Sequence, residues 1–372
     1  MLLEGEYSSY ENRIFLVGPC KAGKTTLAMV LTGGNIETTW ISTNVLSIYF
    51  GKIGIILSKK EMVCMEGNTP ENDIFQKLKI GNPKINQDRH THTEYQEMPE
   101  KGDIKITAPV NDHSCTFNEK PTMGPFDIQA RTYEVDKRIL DAIRRREYSI
   151  EIAPGDIVDF GGQDAFDMIH QLFISQRGTF CFLFDGNKNL LEPMLEHNGK
   201  STADLMQHWI NSILTYCSSS NRGFPKVVFA ASHSDNFRMD KIDERRHELV
   251  GQIDELFAEH PLRHHLVYEQ LPFIDTRDQT CQELNRLKKA FVDIAFSQPT
   301  WGEPMPIKWA PLQLSLSKLR QDGKFIISRE QFEEINALNG DLALDFQQMH
   351  TFLEVQHSLG KLMYINDISL NQ

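Results

Sequence analysis

The stretch VGPCKAGKTT, Val17 to Thr26, constrains this chain more than any other. It matches GxxxxGK[ST], follows the apolar run RIFLV (Arg13 to Val17) and precedes KTTLAMVLTG, a helical pattern that ends at Gly33 and Gly34. Strand, glycine-rich turn and helix in that order give the motif its meaning. Gly18, Pro19, Cys20, Lys21, Ala22, Gly23, Lys24, Thr25 and Thr26 are the expected phosphate cradle. Two of them, Gly18 and Gly23, let the backbone curl so that its N–H groups face phosphate oxygens, and the helix N-terminus adds partial positive charge. Lys24 is expected to reach the β and γ phosphates, and Thr25 to place its hydroxyl on Mg2+.

Beyond this loop, strand-like and helix-like runs alternate, which predicts a parallel sheet flanked by helices. After RIFLV come NVLSIYFGKIGIIL as a second strand or hairpin and SIEIAPGDIVDF as a third, broken by a turn at Pro154 and Gly155. TFCFLFDG, KVVFAAS and HLVYEQLPFID follow, and the expectation is a six-stranded, mainly parallel α/β nucleotide-binding domain over residues 1–296. Between 58 and 148 the alternation fails. There NTPENDIFQKLKIGNPKINQDRHTHTEYQEMPEKGD is polar and poor in clustered apolar residues, which predicts a disordered insertion. His90, His92, His113 and Cys115 in that region lack the spacing of a metal knuckle. From Ser297, QPTWGEPMPIKWAPLQ carries four prolines and predicts a semi-rigid connection. A small winged-helix-like α+β unit is expected over 297–372, with Ser328 capping a helix and KLMYIND supplying a short strand.

A second anchor for chemistry is IVDFGGQD, Ile157 to Asp164, an apolar strand ending in a carboxylate, two glycines and a glutamine. Asp159 is expected to hold magnesium, the Gly162 N–H to donate to the γ-phosphate, and Gln163 to orient the attacking water. A switch threonine on the metal belongs between the two anchors. In TTWISTNV it is Thr43, with Thr38, Thr39 and Ser42 as alternatives.

FAASHSDN, Phe229 to Asn236, contains the residue types of a hydrolytic triad within one turn. Triad members come from separate elements so that three side chains converge, and no nucleophile elbow surrounds Ser232. Position gives another reading: after the phosphate loop and the DFGG turn, a later strand ending in SHSD occupies the place of a GTPase's base-recognition motif, usually [NT]KxD. One carboxylate, Asp235, then accepts from the ring N–H and exocyclic amine of guanine, a pair that adenine does not offer. Ser232 is expected to tie this loop to the phosphate loop and the His233 ring to cover one face of the base. A fifth base-contacting segment is expected near FIDTRD, without an assigned residue.

In these motifs the chain resembles the Roco family, whose GTPase domain, Roc, precedes a COR domain. The resemblance runs through IFLVGPCKAGKTTL, DFGGQDAF with HQLFIS after it, TFCFLFDGN and VVFAASHSD, and continues into PIKWAPLQ, ISREQFEEI and SLGKLMYIND, which are similar to the first part of COR. The family's base motif is commonly a threonine-histidine variant ending in aspartate, so His233 fits it and Ser232 departs from it. The long insertion and the lack of glycine after Thr43 are further departures. The resemblance implies a P-loop, Ras-like GTPase with GTP or GDP and Mg2+ as ligands, slow unaided hydrolysis, a role in intracellular signalling, protein effectors, and a homodimer through COR. It also implies that the rest of COR is missing from the chain.

The bulk properties agree with such a reading. A formal charge of −12 disfavours nucleic acid as a partner. The six cysteines are scattered singly, so neither a disulfide framework nor a zinc ribbon is predicted, and a cytoplasmic setting is expected. No apolar run approaches the length of a membrane span. An interaction scaffold that binds nucleotide with negligible hydrolysis is the alternative function, and a P-loop ATPase a weaker one.

Overall fold

The computed structural model describes residues 5–10, 12–34, 46–65, 152–162, 178–217, 223–278, 280–321, 324, 326–359 and 362–365. In chain order these form β1 (Glu6–Ser9), β2 (Asn12–Val17), α1 (Lys24–Thr32), β3 (Leu46–Ile56), β4 (Glu61–Cys64), β5 (Ile152–Phe160), β6 (Thr179–Asp185), α2 (Thr202–Cys217), β7 (Lys226–Ser232), α3 (Met239–Leu256), β8 (Leu266–Val267), α4 (Gln282–Ser297), β9 (Glu303–Pro306), α5 (Trp309–Gln321), α6 (Arg329–Ala337) and α7 (Phe346–Ser358). Seven strands make one sheet in the order β4-β3-β5-β2-β6-β7-β8. The five from β5 to β8 in that order run parallel, and β3 and β4 extend the sheet as an antiparallel hairpin.

The parallel strands are apolar along their whole length because both faces are covered. In β2, successive side chains alternate between the faces. Phe15 and Val17 pack with Phe160, Phe182 and the α2 residues Met206 and Ile210, while Ile14 and Leu16 pack with Leu27 and Leu31 of α1 and Phe291 of α4. Each such side chain, fully buried, contributes about 1.5–3 kcal/mol. The register Leu16↔Asp159 sets the end of β5 beside the end of β2, where the phosphate loop begins. A buried ion pair, Arg13 Nη2 to Asp156 Oδ2 at 2.9 Å, locks the same two strands. Asp156 Oδ1 also accepts the Gly51 N–H at 2.9 Å, fixing the irregularity in β3 between Tyr49 and Ile53.

Several expectations are corrected here. The sheet has seven strands rather than six. The seventh, β4, occupies residues assigned to the insertion from 58; residues 66–150, including most of that insertion, lie outside the described residues. No break divides β5 at Pro154 and Gly155. Pairing with β2 starts at Gly155, so the missing N–H of Pro154 interrupts nothing on that side, and a Cβ on Gly155 would come within 3.0 Å of Ile53. The sixth predicted strand forms only as Leu266–Val267, and the chain rejoins β7 through a bridge between Phe273 and Ala231.

The proline-rich stretch is structured as well. Pro304 and Pro306 lie in β9, which pairs antiparallel with β1, and Pro311 falls in the first turn of α5, where its N–H would have no helical partner. β1, expected to belong to the first domain, is thus hydrogen-bonded beyond the boundary at 297. α5, α6 and α7 bury Trp309, Leu312, Phe332, Ile335 and Phe352 in a separate cluster. Ser328 caps α6 in a capping box with Gln331, as expected. Residues 362–365 form no strand, so the strand predicted at KLMYIND is not found among the described residues.

Candidate nucleotide-binding site

The phosphate loop leaves β2 at the carboxyl edge of the parallel strands, the edge where open α/β sheets receive ligands. Gly18 has φ 130°, and a Cβ there would lie 2.1 Å from the Leu183 carbonyl oxygen, so only glycine lets the loop pass this close to β6. Gly23, at φ 86°, is the residue from which α1 starts. Lys24 is buried, and its Nζ donates to the carbonyls of Gly18 at 2.9 Å and Pro19 at 2.7 Å. Burial pulls the Lys24 ammonium below the usual lysine pKa, and the charges of Asp159 and Cys20 act in the opposite direction.

Thr25 and Asp159, expected to share a metal, are brought together: Thr25 Oγ1 donates to Asp159 Oδ2 at 2.6 Å. A hydroxyl and a carboxylate side by side are the hard oxygen donors that Mg2+ takes, so the residues present fit that ion. Phe160 lies against Trp209 of α2, with ring centroids 5.9 Å apart, just before Gly161 and Gly162. Gly162 lies against the phosphate loop. A Cβ on it would come 2.6 Å from Lys24 Nζ and 2.7 Å from the Cys20 nitrogen, which makes this turn one wall of the cradle. Gln163, Thr43 and the alternatives Thr38, Thr39 and Ser42 lie outside the described residues.

At the tip of β7, Ser232 is buried and its hydroxyl donates to the Phe184 carbonyl of β6 at 3.0 Å. It therefore ties the loop to β6 and not, as expected, to the phosphate loop. Having given its proton to Phe184, Ser232 Oγ accepts from His233 Nδ1 at 2.9 Å, which fixes the imidazole tautomer. His233 has φ 63°, and its Nδ1 lies 3.5 Å from Asp185 Oδ1. Asn187 Nδ2 donates to the His233 carbonyl at 3.2 Å and to Asp185 Oδ1 at 3.0 Å, bracing the same turn from β6. Ser232, His233 and Asp235 do not converge as a triad. Asp235 instead pairs with Arg277 Nη2, and Arg277 Nε lies 3.6 Å from Asp275.

Residues of FIDTRD thus enter the site, as Arg277 against Asp235 and Thr276 against the phosphate loop, its Oγ1 being 3.2 Å from where a Gly23 Cβ would stand. Sequence reasoning placed the segment without assigning these residues. It gave no role to Asp185 and Asn187, which lie in TFCFLFDGN, and missed Glu196 and His197 altogether. His197 is buried and its Nε2 accepts the Cys20 N–H at 3.1 Å, and Glu196 Oε1 accepts from Lys21 Nζ at 3.1 Å. Nothing near EHNGKS in the sequence marks them.

Among the described residues, no group of three or more His, Cys, Asp or Glu is arranged to hold a metal, and no helix is long and apolar enough to cross a membrane. The sheet and its glycine-rich loop define a mostly parallel α/β fold of the kind found in P-loop nucleotide-binding proteins. A solved structure with a similar fold is Methanosarcina barkeri Roco2 RocCORdC bound to GDP, at a TM-score of 0.51 and 13% identity over 99% of this chain and 73% of that one. The likeness is one of fold. No protein-family description and no curated protein matches the sequence.

Proposed function

We propose that this chain is a GTP-binding and GTP-hydrolysing switch of the Roco type, with a Roc-like domain up to about residue 296 and the N-terminal part of a COR-like, winged-helix-containing domain over 297–372. The observation that carries this reading is the two-ended site. Lys24, Thr25 and Asp159 meet at one end, Asp235 stands at the other, and Thr276 and Arg277 join the two, Thr276 lying beside Gly23 and Arg277 pairing with Asp235. The fold shared with a GDP-bound Roco protein supports the same reading.

In this function the phosphate-loop N–H groups and Lys24 bind the phosphates, and Asp235 accepts the guanine ring N–H and amine. Thr25, Asp159 and Thr43 would hold Mg2+, which when bound supplies positive charge against the phosphate oxygens. The Gly162 N–H donates to the γ-phosphate and so couples the DFGG turn to its presence. Gln163 orients the attacking water. Effectors, a COR-mediated dimer and a cytoplasmic signalling role belong to the same proposal.

Single-turnover hydrolysis of GTP in Mg2+ tests it. The wild-type chain is expected to release phosphate at a rate that Gln163→Leu lowers about a hundredfold, since a misplaced nucleophile loses about that much. Equal and negligible rates in both would favour a scaffold that binds nucleotide without turning it over.

A further inference from the structure

The segment between β6 and α2 carries a single-turn helix, Leu195–His197, that lies on the phosphate loop. Its two last residues contact two successive residues of the loop: His197 Nε2 accepts from Cys20 N at 3.1 Å, and Glu196 Oε1 accepts from Lys21 Nζ at 3.1 Å. The turn is rigid. His197 N and Gly199 N both donate to the Met194 carbonyl, at 3.1 and 3.0 Å, and Met194 N donates to the Lys200 carbonyl at 3.0 Å. His197 is only 2% exposed, so the ring that accepts from Cys20 is buried.

A phosphate cradle works by aiming backbone N–H groups at oxygen acceptors. At Cys20 the acceptor is a histidine nitrogen, and one N–H donates well to one acceptor at a time. The direction of the cradle says which phosphate is involved. Its Gly23 end lies beside Thr276, the neighbour of the Arg277 that pairs with Asp235, and so faces the base. Its Cys20 end meets Gly162 and Lys24 Nζ, and is therefore the far end of a linear nucleotide.

We propose that His197 is a specificity residue that competes with the terminal phosphate for the Cys20 N–H, and so sets the preference between GTP and GDP. This inference rests on the guanine-nucleotide reading above. GDP binds with the ring in place, whereas the third phosphate of GTP displaces it and loses the worth of one hydrogen bond. Glu196 and Lys21 hold the turn over the loop and act as positioning residues.

The test is equilibrium binding of GDP and of a non-hydrolysable GTP analogue to the 372-residue chain. His197→Ala is expected to raise the affinity for the analogue relative to GDP by about fivefold, the effect of one net hydrogen bond. His197→Gln puts a carbonyl acceptor back and returns the ratio toward wild type. Because truncating a buried ring can unfold the chain, the ratio is also read in Glu196→Gln, which loosens the turn from its exposed side and moves it the same way by about twofold. A ratio unmoved or lowered in the variants overturns the inference while both nucleotides still bind the wild type. A wild-type chain that binds neither nucleotide overturns it together with the guanine-nucleotide reading.

Discussion

A single methyl group at position 162 probes the wall of the cradle. In Gly162→Ala the new Cβ would stand 2.6 Å from Lys24 Nζ, 2.7 Å from Cys20 N and 2.8 Å from the Pro19 carbonyl carbon, all closer than non-bonded carbon allows. The Lys24 amine ends a flexible chain and can yield. Cys20 and Pro19 cannot, because Gly18 behind them is already pressed against the Leu183 carbonyl. The displacement therefore falls on the turn after Phe160, which, in the proposed function, carries the Gly162 N–H away from the γ-phosphate. A hydrogen bond to a charged group is worth about 1.5–3 kcal/mol, so affinity for a non-hydrolysable GTP analogue should fall roughly 10- to 150-fold. GDP affinity should stay within about twofold, since the displacement falls on the turn and not on the loop; Gly162 is not among the positive-φ glycines, so any loss of stability comes from the close contacts alone. Titration with both nucleotides, with a melting curve as control, reads the effect. Unchanged affinity for the GTP analogue, with unchanged melting, would refute the placement of Gly162 at the terminal phosphate.

Two other perturbations follow from buried charge. Asp156→Ala leaves Arg13 buried without its partner and frees the β3 irregularity at Gly51, so chemical denaturation should show a loss of about 3–5 kcal/mol. Lys24 starts with a lowered pKa, and phosphate beside its Nζ raises it, so the bound pKa exceeds the free one. Affinity for GDP is then full below the free value and falls as pH rises through it toward the bound value. Calorimetry in two buffers of different ionisation enthalpy should show proton uptake on binding at alkaline pH and little at neutral pH; proton release would contradict the account.

The parts of the site that the sequence announces are those whose backbone geometry restricts residue type. Gly18 and Gly23 must be glycine for conformational and steric reasons, and Asp159 ends an apolar strand, so their spacing survives in the text of the chain. The parts it hides depend on tertiary placement. His197 and Arg277 come from irregular segments, and only the folded arrangement brings them to Cys20 and Asp235. The misread breaks share one cause: Pro154, Gly155, Pro304, Pro306 and Pro311 read as breakers only while their neighbours are unknown. Each stands where the missing N–H or side chain falls outside a ladder, at a close approach, in a two-stranded ladder or in the first turn of a helix. β4 was hidden because its four residues adjoin a long polar stretch, and it forms only by pairing with β3.

The central claim is that Asp235 reads guanine at one end of a phosphate cradle. Equilibrium titration of GTP and ATP into the wild-type chain and Asp235→Ala tests it most directly. The wild type should prefer GTP by about a hundredfold or more, because adenine does not offer Asp235 the ring N–H and amine pair that guanine does, and Asp235→Ala should lose most of that preference. ATP binding as tightly as GTP to the wild type, or GTP affinity unchanged in Asp235→Ala, would contradict the account.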